Sequence, residues 1–186
     1  MDRVPSLVAD RQTPLKARYR EDAAAAITVK HVRTVHEAAH DALHGAVDVL
    51  APVPPTRWAF GQDAKVGGYD DLPNSGHLLC AALACCQDNI IRMIADRLGV
   101  PIAHLEVEAI GRVDCRGCLA VDPEVPVGFT AIDLLVHLEA APGTDERLLA
   151  ALRQTAERYC VTLDTLRRGV PVTLSYPTPA ATAAAQ

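Results

Sequence analysis

Cysteine and histidine carry most of the chemistry open to this chain. Cysteines stand at Cys80, Cys85, Cys86, Cys115, Cys118 and Cys160. A thiolate can act as nucleophile, reductant or metal ligand. The competing use is packing, because a free cysteine on an apolar stripe behaves as a small hydrophobe. Cys115-Arg116-Gly117-Cys118 is a CxxC, which is half of a zinc site or a redox pair. A zinc ribbon needs a second CxxC, and the sequence has none. The pair therefore reads as part of a hairpin turn, with a disulfide under oxidation left open. His36-Glu37-Ala38-Ala39-His40 is a formal HExxH, and His44 extends the row. On a helix the two histidines would share a face and hold zinc, with Glu37 as general base. No third-ligand motif follows, so the zinc hydrolase is a remote alternative to a solvated histidine cluster. No resident metal or cofactor is expected.

The bulk properties narrow the class of protein. The chain has 186 residues, 49% of them hydrophobic, enough for one domain with a sizeable core. Aromatics are only 4%, so that core must come from Ala, Leu, Val and Ile. The net charge of −5 carries no basic footprint for nucleic acid. The longest wholly apolar run, residues 78–86, is far shorter than the roughly 20 residues that span a bilayer. The first ten residues hold no apolar stretch of signal-peptide length. These features describe a soluble cytoplasmic protein with no nucleic-acid or membrane partner. In a reducing compartment its cysteines do not form a structural disulfide framework.

The elements that must position the cysteines can be read along the chain. Residues 1–25 form a polar arm containing Pro5 and Pro14, with a short helix expected around 16–25. Residues 26–32 suggest a strand. Residues 35–50 have two readings: helical spacing of Val35, Ala38, Ala39, Ala42, Leu43, Ala46, Val47 and Leu50, or a strand over 46–50 after the break at Gly45. Prolines in 51–55 stop any helix, and 57–60 reads as a short strand. Residues 66–75 are loop, dense in Gly, Pro, Asn and Asp.

The strongest helix follows, capped by Asn74 or Ser75. Its apolar stripe is Leu79, Ala82, Leu83, Cys86, Ile90, Met93 and Ile94. The turns before Gln87 are apolar on nearly all sides, so the first half should be deeply buried. Gly99 and Pro101 end it. Residues 105–113 and 129–138 read as a hairpin. Thr144 is expected to cap a second helix that opens with Asp145 and Glu146, where negative charge suits the dipole. Leu148, Leu149, Leu152, Ala156 and Tyr159 are expected to face inward, with Cys160 just beyond. Residues 169–176 read as a final strand and 177–186 as a mobile tail.

Two segments resemble the OsmC/Ohr family of hydroperoxide-resistance proteins. GGYDDLPNSGHLLCAALACCQDNIIRM is similar to the family's Gly-Gly loop and central helix with its Ala-Leu-Ala-x-Cys pattern. AERYCVTLDTL is similar to its helix-ending Cys-Pro-Val segment, with Val161 directly after the cysteine. GRVDCRGCLAVDPEVPVGF resembles the hairpin between the two family helices. The resemblance covers roughly residues 56–176 in matching order and spacing.

The resemblance implies an α+β fold, with two long helices packed between antiparallel sheets and two chains intertwined as a homodimer. It makes 26–176 a single OsmC-like domain between the arm and the tail. It also implies thiol-dependent reduction of organic hydroperoxides. By register Cys86 is the peroxide-reactive cysteine and Cys160 its resolving partner, and an external dithiol restores both. The family activates the first cysteine with an arginine from the N-terminal strand region, oriented by a glutamate at the start of the central helix. Here the glutamate positions hold Gly76 or His77, and the arginine is Arg33 or Arg57. Cys86 lies about three turns into its own helix, where that helix's dipole gives little help. Cys85 points about 100° away, toward Asp88, Asn89 and Arg92, and Cys80 reads as packing. The missing glutamate motivates a second reading, a non-catalytic OsmC-like dimer that binds a small apolar ligand.

Overall fold

The computed structural model describes residues 5–35, 37, 41–50 and 54–177. Helix α1 (Leu7–Glu21) starts at Ser6, whose side chain accepts from the Ala9 amide. Ser6 is buried and its hydroxyl donates to Asp96, so the arm is docked rather than loose. The helix begins earlier than the composition suggests because it accommodates Pro14 in its interior. Strands β1 (Val32–Val35), β2 (Gly45–Val49) and β3 (Thr56–Phe60) form an antiparallel meander. Of the strand expected over 26–32, only Val32 pairs; residues 27–31 have no ladder partner among the described residues. The strand reading of 46–50 holds in β2. The histidines of the HExxH, His36 and His40, lie outside the described residues.

Helix α2 (Ser75–Leu98) is the spine. Asn74 caps it: the Asn74 side chain accepts from the His77 amide, and the His77 ring accepts from the Asn74 amide. Gly99 closes it with φ 67, a left-handed conformation that glycine adopts without a Cβ penalty. By length and apolar content α2 could cross a bilayer, but here it is the element on which α1, β4, α4 and α5 all pack. Strands β4 (Ile102–Val113) and β5 (Phe129–Ala140) form a long antiparallel hairpin, joined through the one-turn helix α3 (Cys115–Cys118).

Helix α4 (Glu146–Tyr159) is capped by Asp145, not Thr144. The Thr144 hydroxyl instead donates to the Ala141 carbonyl, which leaves the next residue to cap. Its buried residues are Leu149, Leu152 and Ala156, packed with Ile91, Ile94, Ala95 and Val100. Leu148 and Tyr159 flank that stripe and stay exposed at 39% and 57%, contrary to expectation. Helix α5 (Val161–Arg168) follows after a single residue. Residues 169–176 form no strand: Val172, Leu174 and Tyr176 are 86%, 77% and 87% exposed, because no described edge pairs with them. The first half of α2 is also less covered than expected. Up to Cys86 only Leu83 is buried, while Ala81, Ala82 and Cys85 are exposed.

Candidate functional site

Two helical stripes bring Cys86 and Cys160 together. Leu149, Leu152 and Ala156 recur at helical spacing on α4, and Cys160 is the next position of that stripe. It is fully buried. Cys160 is at once the last cap of α4 and the first of α5, with an extended backbone at φ −74 and ψ 107. The chain turns there, and α5 starts pointing its free amides at α2. On α2 the buried stripe is Leu83, Gln87, Ile91, Ile94 and Ala95. Cys86 lies on its flank, half-buried, on the side that meets α5.

The surroundings of the two sulfurs separate their protonation. Burial pushes the Cys86 thiol up. Hydrogen bonds from the Thr162 hydroxyl, the Thr162 amide, the Cys160 thiol and the Val161 amide outweigh it, and the net shift is downward. Helix α5 has no side-chain cap at its start, so its first amides are free to serve a sulfur. A helix N-terminus and hydrogen-bond donors are what stabilise a thiolate. Cys160 moves the other way. Burial raises it, the neighbouring Cys86 raises it further, and the Leu163 and Thr162 amides only partly compensate. One sulfur is disposed to lose its proton, and the other to keep and donate it.

Comparison with known proteins places the chain in a family. The sequence model described as OsmC-like protein matches residues 68–175, more than half of the chain. The chain belongs to the OsmC-like protein family. No curated protein matches its sequence. Solved structures share the α+β fold at low identity. An organic hydroperoxide resistance protein OsmC from Legionella pneumophila is 18% identical, with a TM-score of 0.55 over 80% of this chain and 96% of that one. An OsmC-like protein of unknown function from Vibrio cholerae is 10% identical, with a TM-score of 0.58 over 75% and 94%. An organic hydroperoxide resistance protein from Elizabethkingia anophelis is 16% identical, with a TM-score of 0.55 over 78% and 93%.

In this OsmC-like protein the remaining expected site residues are dispersed. Arg57 lies on β3, where its Nε donates to Asp48 at 2.7 Å and its guanidinium also pairs with Glu37. Arg33 faces Asp48 across β1–β2 and helps hold that carboxyl down. Neither is among the groups that act most strongly on the Cys86 thiol. Gly76 and His77 lie in the first turn of α2, where the His77 ring is used by the Asn74 cap. His77 is nine residues before Cys86, about 13 Å along the axis at roughly 1.5 Å per residue. Cys85 is exposed near the Asp88–Arg92 ion pair, and Cys80 is half-buried against Gly111 of β4.

Sequence reasoning missed two contributors. Thr162 carries no signal in a sequence that does not announce α5, although Asp164, Arg167, Arg168 and Gly169 follow the charge and glycine pattern of a short helix. Gln87 is buried, and its Oε1 has no hydrogen-bond partner among the described residues. It lines a cavity of about 950 Å³ with Leu83, Ile91, Phe129, Leu163 and Leu166, and with the charged Arg153, Glu157 and Arg167.

Proposed function

We propose that this OsmC-like protein reduces organic hydroperoxides with Cys86 and Cys160. The observation that carries the reading is the Cys86 sulfur at the amide end of α5, whose donors hold its thiol below the ordinary value, beside a Cys160 whose burial holds its thiol above it. The Cys86 thiolate attacks the terminal oxygen of ROOH. The O–O bond breaks, the sulfur becomes a sulfenic acid, and the departing alkoxide takes a proton to leave as alcohol. The Cys160 thiol then condenses with the sulfenic acid, forming a disulfide and releasing water. An external dithiol reduces that disulfide and is itself oxidised. Neither cysteine lines the cavity, but Gln87, next to Cys86, and Leu163, whose amide acts on Cys160, both do, and its Leu83, Leu163 and Leu166 walls suit an alkyl group. That the Legionella and Elizabethkingia proteins are hydroperoxide resistance proteins supports the same substrate class.

The active form in this reading is a homodimer in a reducing cytoplasm. Among the described residues, the β1–β2–β3 sheet packs mainly within itself, and the apolar start of α2 lies uncovered. Both faces suit a second copy.

Peroxide consumption in the presence of dithiothreitol, with cumene hydroperoxide as substrate, tests the reading. Cys86→Ser is expected to fall to the rate of dithiothreitol alone, and Cys160→Ser to accumulate a sulfenic acid at Cys86 that dimedone traps. A Cys86→Ser variant as fast as wild type overturns the assignment. Gln87 favours a second reading, in which the cavity binds an apolar ligand bearing a hydrogen-bond donor and no turnover occurs. Absence of peroxide turnover with every dithiol, together with an unperturbed Cys86 thiol near ~8.5, would select it.

A further inference from the structure

Cys115 and Cys118 take no part in the chemistry proposed for Cys86 and Cys160. The turn that holds them is built with care. They open and close the one-turn helix α3, so they are separated by one helical turn. Helix geometry sets their Cα atoms about 5 Å apart, inside the roughly 4.4–6.8 Å that a disulfide admits, while their Cβ atoms, at about 5–6 Å, must close toward the roughly 3.5–4.5 Å of a bonded pair. The Cys118 thiol donates to the Cys115 carbonyl at 3.4 Å, and the two thiols act on each other. Cys118 is exposed and Cys115 half-buried. Both line a second cavity, of about 990 Å³, together with Lys65, Asn74, His77 and Cys80.

The frame around the pair is fixed on two sides. Asp114 caps the turn through the Arg116 amide at 3.0 Å and receives the Arg116 guanidinium on both oxygens, which holds its carboxyl down at about 2. Arg116 also reaches Asp122. Opposite, a Cβ on Gly117 would come within 2.3 Å of the Pro126 carbonyl oxygen and 2.7 Å of that of Val125. The 125–126 backbone therefore lies directly on the turn, and only glycine fits there. The two sulfurs are presented from one anchored turn, and joining them needs that turn to tighten by about 1–2 Å between Cβ atoms.

We propose that Cys115 and Cys118 form a second, independent dithiol–disulfide site that exchanges with low-molecular-weight disulfides. Cys118, the exposed thiol, attacks as thiolate one sulfur of RS–SR. That S–S bond breaks, RS⁻ leaves, and a mixed disulfide stands on Cys118. Cys115 then gives its proton to the departed thiolate and attacks the Cys118 sulfur, expelling the second RS⁻. Two protein thiols are oxidised to one disulfide, and one RS–SR is reduced to two thiols. The order of attack follows the surroundings. Burial, Cys118, Asp63 and Asp114 all hold the proton on Cys115, which fits the second role.

The test uses the full chain carrying Cys86→Ser and Cys160→Ser, so its outcome is separate from that of the peroxide reading. The protein is equilibrated with glutathione and glutathione disulfide at a series of ratios, quenched with acid, alkylated and digested with trypsin. Trypsin cuts between the two cysteines at Arg116, so the oxidised site appears as residues 113–116 joined to residues 117–147 by a disulfide. The reduced site appears as two separate alkylated peptides. The proposal expects the joined peptide to become the main form while reduced glutathione is still in about tenfold excess. Adding Cys115→Ser should replace it by a glutathione adduct on Cys118, with the circular dichroism of the parent retained. Three results overturn it: both cysteines alkylated at every ratio, a Cys80–Cys115 link in place of Cys115–Cys118, or scattered glutathione adducts without the joined peptide.

Discussion

At the scale of residues, the downward shift of the Cys86 thiol comes from three donors at the start of α5 and from one thiol, which together outweigh its burial. That Cys86 and Cys160 meet in the fold was legible in the sequence, because their segments carry the family pattern. Their electrostatic support was not. The sequence directs attention to an arginine, yet Arg57 is committed to Asp48 and Glu37 and Arg33 to the same sheet. Thr162 is the more telling residue. A hydrogen bond to the charged form of a group favours that form, so the thiolate gains from the Thr162 hydroxyl. Thr162→Val is expected to move the pH profile of Cys86 alkylation by iodoacetamide to higher pH, by about one unit if the lost bond is of the charge-assisted kind. Thr162→Ser should leave it near wild type. The sign follows from the direction of the shift. With its folded pKa below the ordinary value, Cys86 is reactive above that lowered pKa, and loss of the donor narrows the reactive range from its acid side. An unmoved profile in Thr162→Val would remove the hydroxyl from the account.

At the scale of elements, α4 sets where Cys160 sits and α5 sets what its neighbour feels. The stripe on α4 was readable from its spacing, but its width was not. Leu148 and Tyr159 flank the buried line because the helix packs through a narrow face. Leu152 lies at the centre of that face, fully buried among Ile91, Ile94 and Ala156. Leu152→Ala should lower the unfolding free energy by about 2–5 kcal/mol in urea titrations. Helix α5 escaped the reading because it begins one residue after α4, with neither Pro nor Gly to mark the break. Its first position allows a precise change. Proline is tolerated at the first residue of a helix, removes one amide donor, and favours an extended residue before it. Cys160 is already extended. Val161→Pro should therefore fold as wild type while raising the Cys86 pKa by less than Thr162→Val does, as read by the same alkylation profile.

At the scale of the molecule, the departures from expectation lie where this single chain provides no partner. The alternating 170–176 segment reads as a strand, yet Val172, Leu174 and Tyr176 are almost fully exposed. The apolar start of α2 reads as core, yet among its first twelve residues only Leu83 is buried. Sequence patterning encodes burial and pairing without saying whether they occur within one chain, and in the homodimer proposed above a second copy would cover these segments. Sedimentation equilibrium should accordingly give twice the 19.9 kDa chain mass. Ala81→Asp or Ala82→Asp on the uncovered face of α2 should shift it toward one. A wild-type monomer at micromolar concentration would contradict the dimer.

The central claim is that Cys86 and Cys160 are two halves of one redox reaction. Its most direct measurement is peptide mapping after one equivalent of cumene hydroperoxide is added to the reduced protein without a dithiol. A disulfide joining Cys86 to Cys160 is expected as the main product, formed at the rate of peroxide loss. Peroxide loss with both cysteines still open to alkylation, or with Cys86 joined to any other thiol, would contradict it.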